Sequence, residues 1–151
     1  MAIVRVQRED FDVGRELESL TGGRTDVGAV ASFTGHVRAE AGGEEVLGLE
    51  LEHYPGMTER ALEEICREAH VRWQLVETLV IHRVGPLRAG DRIVLVGVAS
   101  AHRGEAFAAC AFIMDFLKTR APFWKRERTT SGEHWVESRS SDDQAAERWR
   151  S

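Results

Sequence analysis

The sequence predicts an α+β fold with a mixed or antiparallel sheet. Strand-like and helix-like segments mix without regular βαβ alternation, and several neighbouring strands are separated only by a short turn. Two helix patterns stand out, one amphipathic and one apolar on most sides.

The elements follow in order. Ala2 to Gln7 alternates apolar and polar, as an edge strand does. Phe11 to Leu20 suits a short helix, stopped by Thr21-Gly22-Gly23. Gly28 to Val37 reads as a strand. Ala39 to Glu45 is small and charged around Gly42-Gly43, a loop or hairpin turn. Val46 to His53 alternates, with Leu47, Leu49 and Leu51 on one face and Glu50 and Glu52 on the other. After Pro55-Gly56, Thr58 to Trp73 repeats its apolar residues (Ala61, Leu62, Ile65, Cys66, Ala69) at helical spacing. Val76 to Val84 is a strand closed by Gly85-Pro86, and Arg92 to Ala99 is the most apolar strand, hence central. A largely buried helix runs from about Ala101 to Thr119, including Phe107, and Pro122 ends it because proline cannot continue the backbone ladder. A short strand near His134 to Glu137 and a polar tail from Ser140, a last helix turn or a frayed end, complete the chain.

At 151 residues the expectation is one domain spanning 1–151, with a polar tail over about 140–151. No apolar run is long enough to span a membrane, and the N-terminus lacks the order of a signal peptide, so the expected location is cytoplasmic. Cys66 and Cys110 sit in apolar helical patterns, as free thiols that pack like small hydrophobes do. The formal net charge is -5. Such a chain is a poor general binder of nucleic acid.

Against that acidity, Leu117 to Arg128 (L-K-T-R-A-P-F-W-K-R-E-R) holds five cations among twelve residues. Lys118 falls in the last turn of the buried helix, where the helix dipole favours a cation. Lys125 has no such reason. Crowded by cations and partly desolvated, it would be a candidate base or nucleophile. The competing reading is a solvated charge run beside a packed Phe123-Trp124 pair. A second candidate is A-S-A-H-R-G, residues 99–104, where Ser100 suits an N-cap and His102 and Arg103 carry the wrong sign for a helix start. Either they meet an anion there, or they are a surface pair. A third is F-T-G-H-V-R, with His36 and Arg38 two apart on a strand face. Zinc spacings, a P-loop and G-x-G-x-x-G are absent from the sequence.

F-T-G-H-V-R, L-E-H-Y-P-G-M-T-E-R-A-L, I-H-R-V-G-P-L-R-A-G-D, V-G-V-A-S-A-H-R and F-I-M-D-F-L-K-T-R-A-P-F-W-K-R-E together resemble the large, catalytic subunit of molybdopterin synthase. The likeness is collinear from about Gly28 to Trp149. It implies an α/β hammerhead-like fold with a small additional β subdomain. It also implies sulfur transfer from the C-terminal Gly-Gly thiocarboxylate of a small ubiquitin-like partner to cyclic pyranopterin monophosphate (precursor Z), forming the dithiolene of molybdopterin. The implied assembly is a dimer of large subunits within a heterotetramer, with neither metal nor loose cofactor. Carried over by position, the substrate pocket comprises His36, Val37, Arg38, His102, Arg103, Lys118, Lys125, Arg126 and Glu127. Lys118 stands at the thiocarboxylate and Lys125 acts as general acid/base. Arg139 adds a cation across the dimer interface. His36 departs from relatives that carry Lys, which implies phosphate binding that weakens as the imidazole loses its proton.

Two other classes compete. A single-stranded nucleic-acid module would stack bases on Phe123 and Trp124 and bind RNA with a steep salt dependence. A non-catalytic adaptor for a ubiquitin-like protein would tolerate loss of Lys125.

Overall fold

The computed structural model describes residues 2–136 and 140–150. The elements in chain order are β1 (Ala2–Gln7), α1 (Val13–Thr21), β2 (Ala29–His36), β3 (Glu40–Ala41), β4 (Glu44–His53), α2 (Met57–Arg72), β5 (Leu75–Arg83), β6 (Gly85–Arg88), β7 (Arg92–Ser100), α3 (Arg103–Arg120), β8 (Phe123–Thr129), β9 (Gly132–Val136) and α4 (Ser140–Glu147). The α+β expectation holds, with a mixed sheet and a second, antiparallel one.

The first sheet runs β1-β5-β7-β2. β1 pairs parallel with β5, and the other pairings are antiparallel. β1 is an edge strand and β7 an interior one, as their patterns predict. Both faces of this sheet are covered, which is why β5 and β7 are near-continuously apolar. On one face Val80, Val94, Val96 and Val98 pack against Leu62, Ile65 and Cys66 of α2 and Phe112, Ile113 and Leu117 of α3. On the other, Leu79, Ile81 and Leu95 meet Leu20 and Leu17 of α1. Gly97 permits that approach: a Cβ there would lie 2.8 Å from Leu20 Cδ1 and 3.0 Å from Leu17 Cδ2.

The second sheet has the order β3-β4-β8-β9, with β6 pairing to β4. Gly42 and Gly43, at φ 60 and φ 82, make the β3–β4 turn, so the small charged stretch is a hairpin. A separate apolar cluster of Val37, Val46, Leu49, Leu51 and Leu87, with Ile93 against it, fills the space beneath this sheet.

Several local expectations are corrected. Gly85-Pro86 does not merely close β5. It opens β6, with Pro86 opposite Glu50 of β4. Phe123 to Thr129 is a full strand, although its charge and its leading proline mask the pattern. Phe107 is 66% exposed, so α3 is less completely covered than its composition implies. The tail from Ser140 forms α4, fixed by Asp115, whose Oδ2 accepts hydrogen bonds from Arg148 and from Trp149 Nε1. Ser100 is not the N-cap of α3; His102 occupies that position. Ser100 ends β7 instead, donating to the Gln74 carbonyl at 2.9 Å and receiving the His102 N–H at 3.4 Å.

Candidate active site

α3 is apolar on the side facing the sheet until Leu117, and its last turn carries Lys118. The helix stops at Arg120. Ala121 is already extended (φ -81, ψ 131), the conformation a residue before proline prefers. Pro122 then feeds β8, which returns antiparallel to β4. Along β8 the side chains alternate. Phe123, Lys125 and Glu127 face inward, whereas Trp124, Arg126 and Arg128 face outward. The reversal explains why two lysines seven positions apart meet: one ends a helix, and the other lies three residues into the strand that turns back beneath it.

They meet in a cavity of about 300 Å³ between the two sheets. His36, Val37 and Arg38 enter from the end of β2, where a β-bulge between Gly35 and His36 breaks the edge pairing. Lys118, Lys125 and Glu127 come from the α3–β8 reversal, and Val46, Leu49 and Leu51 of β4 supply the apolar wall. Six of the residues predicted from sequence therefore share one hollow: His36, Val37, Arg38, Lys118, Lys125 and Glu127.

The remaining predictions lie elsewhere. Arg126 lines a separate cleft, with its guanidinium 5.5 Å over Trp135 and 4.0 Å from Glu50 and 3.9 Å from Glu133. His102 and Arg103 are exposed at the start of α3. At 1.5 Å rise per residue, the fifteen positions from Arg103 to Lys118 place them about 22 Å apart along the helix axis. Arg139 lies outside the described residues.

Residues that sequence reasoning passed over also line the hollow: Glu40 of β3, His82 of β5, Ile93 of β7 and Asp142 of α4. The signal for His82 was a titratable residue inside an apolar strand, two positions from Val80 and so on the same face. Glu40 and Asp142 carried none, because each reaches the cavity only through the folding of a hairpin and of a terminal helix. Their presence changes the local electrostatics. Among the described lining residues, Arg38, Lys118 and Lys125 are matched in number by Glu40, Glu127 and Asp142. A positive well of the kind the basic stretch suggested is thus not made by these groups alone.

His82 is 6% exposed, and burial pushes its pKa down to about 4. A hydrogen bond from Nδ1 to the Arg83 carbonyl, at 2.8 Å, works against that, and the charges of Lys118 and His53 work with it. Cys66 and Cys110 are free and buried, and desolvation pushes both thiols up to about 11. Neither is a reactive nucleophile. No group of metal-binding side chains occurs among the described residues.

Comparison with known proteins gives this geometry a context. The family model described as MoaE protein matches residues 6–120. The molybdopterin synthase catalytic subunit of Vibrio cholerae is 60% identical over 146 residues, covering 97% of each chain. That of Ralstonia nicotianae is 58% identical over 149 residues, 99% of this chain and 85% of the relative. Among solved structures, the molybdopterin biosynthesis MoaE protein from Burkholderia ambifaria superposes with a TM-score of 0.85 at 50% identity, covering 99% of this chain and 98% of the other. Molybdopterin synthase from Staphylococcus aureus does so at 0.82 and 33% identity, covering 88% and 96%. The chain belongs to the MoaE protein family, the sulfur-transferring catalytic subunits of molybdopterin synthase.

Proposed function

We propose that this chain takes sulfur from the C-terminal thiocarboxylate of a small ubiquitin-like partner and delivers it to cyclic pyranopterin monophosphate, making the dithiolene of molybdopterin. The observation that carries the reading is the meeting of Lys118 and Lys125 with His36 and Arg38 in one hollow between the sheets. Substrate phosphate and thiocarboxylate are both anions. Bringing them together away from water is unfavourable unless cations face them. Arg38 offers a planar fork suited to phosphate oxygens, with His36 and the Val37 backbone beside it. Lys118, at the rim where α3 ends, orients the partner's terminal carbonyl and stabilises charge that develops there. Lys125, deeper on β8 with Glu127 on the same face, moves protons as sulfur adds to the ring side chain and the cyclic phosphate opens. Two rounds with fresh partners install both sulfurs, and each spent partner leaves as a carboxylate.

Assembly follows from the charge balance. Among the described residues, three carboxylates offset the three Lys and Arg cations in the hollow, and Arg103 is about 22 Å away along its own helix. A second copy that brings its His102-Arg103 pair to this hollow would restore a cation surplus. The proposed assembly is therefore a dimer of these chains, with one small partner docked on each. Arg126 faces the outer cleft and Arg139 is assigned a role across the dimer interface. The relatives' designation as catalytic subunits supports a further, non-catalytic subunit. We place the reaction in the cytoplasm, where the thiol products remain reduced.

The deciding experiment mixes the purified protein with a thiocarboxylated partner and precursor Z and assays for dithiolene. Product that appears only with all three components supports the reading. Tight partner binding without product would turn it toward a non-catalytic adaptor.

A further inference from the structure

His82 occupies the next-to-last position of β5, opposite Val94 of β7 and on the face that looks toward α3 and β8. Its ring is clamped in two ways. Phe123 stacks on it at 3.8 Å between centroids and 20° between planes. Nδ1 lies 2.8 Å from the Arg83 carbonyl oxygen. A carbonyl only accepts, so Nδ1 carries the proton and Nε2 keeps its lone pair. Lys118 from α3 and His53 from β4 are the charged groups that act on the ring, and both oppose a second proton.

This sets His82 apart from the charged groups in the cavity wall. Arg38, Lys118 and Lys125 donate hydrogen bonds. Glu40, Glu127 and Asp142 accept them but bring negative charge beside an anionic substrate. His82 offers a side-chain acceptor: burial keeps the ring neutral, and the Arg83 carbonyl fixes the tautomer that leaves the lone pair on Nε2. A fused ring bearing N–H groups gains from such an acceptor, because it adds no negative charge beside the phosphate. An orphaned ring N–H in a dry pocket would otherwise weaken binding.

We propose that His82 recognises the substrate ring: Nε2 accepts a hydrogen bond from a ring N–H and fixes the ring's orientation between Lys118 and Lys125. The assignment rests on the pyranopterin reading of the cavity. It concerns binding and orientation, since a neutral imidazole with its Nδ1 proton committed to the Arg83 carbonyl is poorly placed to relay protons.

The test uses the full chain with His82→Leu, which keeps an apolar surface for Phe123, and His82→Gln, which returns an acceptor oxygen. Each is titrated with cyclic pyranopterin monophosphate and, separately, with inorganic phosphate, which has no ring. The expected result is about tenfold weaker pyranopterin binding by the Leu variant, the scale of one lost buried hydrogen bond, and recovery to within about threefold in the Gln variant. Phosphate affinity should stay near wild type in both. Pyranopterin affinity unchanged in the Leu variant overturns the proposal alone. So does an equal loss of phosphate and pyranopterin binding, which marks a structural role. Wild-type protein that binds phosphate but not the pyranopterin overturns the reading of the cavity and this assignment together. Should the Leu variant not fold, the ¹⁵N signal of His82 Nε2 in the wild type decides: it moves on pyranopterin addition if the lone pair is engaged, and its constancy refutes the contact.

Discussion

Lys118 and Lys125 illustrate how little a residue's type says about its task. Both are lysines in a basic run, yet one is exposed at a helix end and the other is half-buried on an inward strand face between Phe123 and Glu127. If the first holds charge on the incoming carbonyl and the second moves protons, each is needed in every turnover. Lys118→Ala and Lys125→Ala should each lower the single-turnover rate by roughly 100-fold or more, the usual loss for a missing acid/base or charge-stabilising group. Thermal melts of the same preparations check that the fold is intact, and near-normal product from either removes that lysine from the mechanism. Arg126 shows the limit of reasoning by adjacency. It directly follows Lys125, and the period of two turns it to the opposite face, against Trp135 and Glu133.

At the scale of elements, the start of α2 is tied to the α3–β8 reversal through one hydroxyl. Thr58 is fully buried, its Oγ1 accepting the Tyr54 N–H at 3.0 Å and donating to the Pro122 carbonyl at 3.1 Å. The link spans 64 positions and ends three residues before Lys125. Thr58→Val keeps the shape and strands both backbone groups, which should cost about 2 kcal/mol. Urea denaturation should report that loss, and an unchanged midpoint would mean that water takes over both bonds. A strand end also sets a pH response. The pKa of His82 falls from 6.5 to about 4 on folding, chiefly through burial. Between those values the unfolded chain binds the proton that the folded chain refuses. Stability is therefore full above pH 6.5 and declines as the pH falls toward 4, by about 3 kcal/mol for this group. Denaturation midpoints across that range should slope less in His82→Leu than in wild type. Parallel slopes would assign the acid sensitivity to other groups.

At the scale of the whole molecule, the proposed site needs more than one chain if Arg103 serves the same hollow as Lys118. A single α3 cannot present both its ends to one cavity. Arg103→Ala and Lys118→Ala proteins, each inactive alone, should therefore regain part of the activity when unfolded together and refolded as a mixture. In a mixed dimer one hollow would receive both an intact lysine and an intact arginine. Random pairing gives such dimers in half of the population, so recovery of roughly a quarter of wild-type turnover is the expected scale. No recovery would place Arg103 and Lys118 in the same chain's site, or Arg103 outside the site.

The amino-acid sequence by itself determined the first three helices and most strands, because periodicity and the breaks at Thr21-Gly22, Pro55-Gly56 and Pro122 act over a few residues. It also marked the segments around His36, His102 and Lys118–Glu127 as candidate sites, the second because its charges carry the wrong sign for a helix start. Only the tertiary structure decided which of them converge. β6 and β8 became strands through pairing with β4, a long-range contact that β8's charge hides. His82, Glu40 and Asp142 joined the cavity because two sheets and a terminal helix close around it. The separation of Arg103 from Lys118 follows from the stiffness of the helix between them, whereas side-chain facing and cross-sheet proximity depend on contacts between residues far apart in the chain.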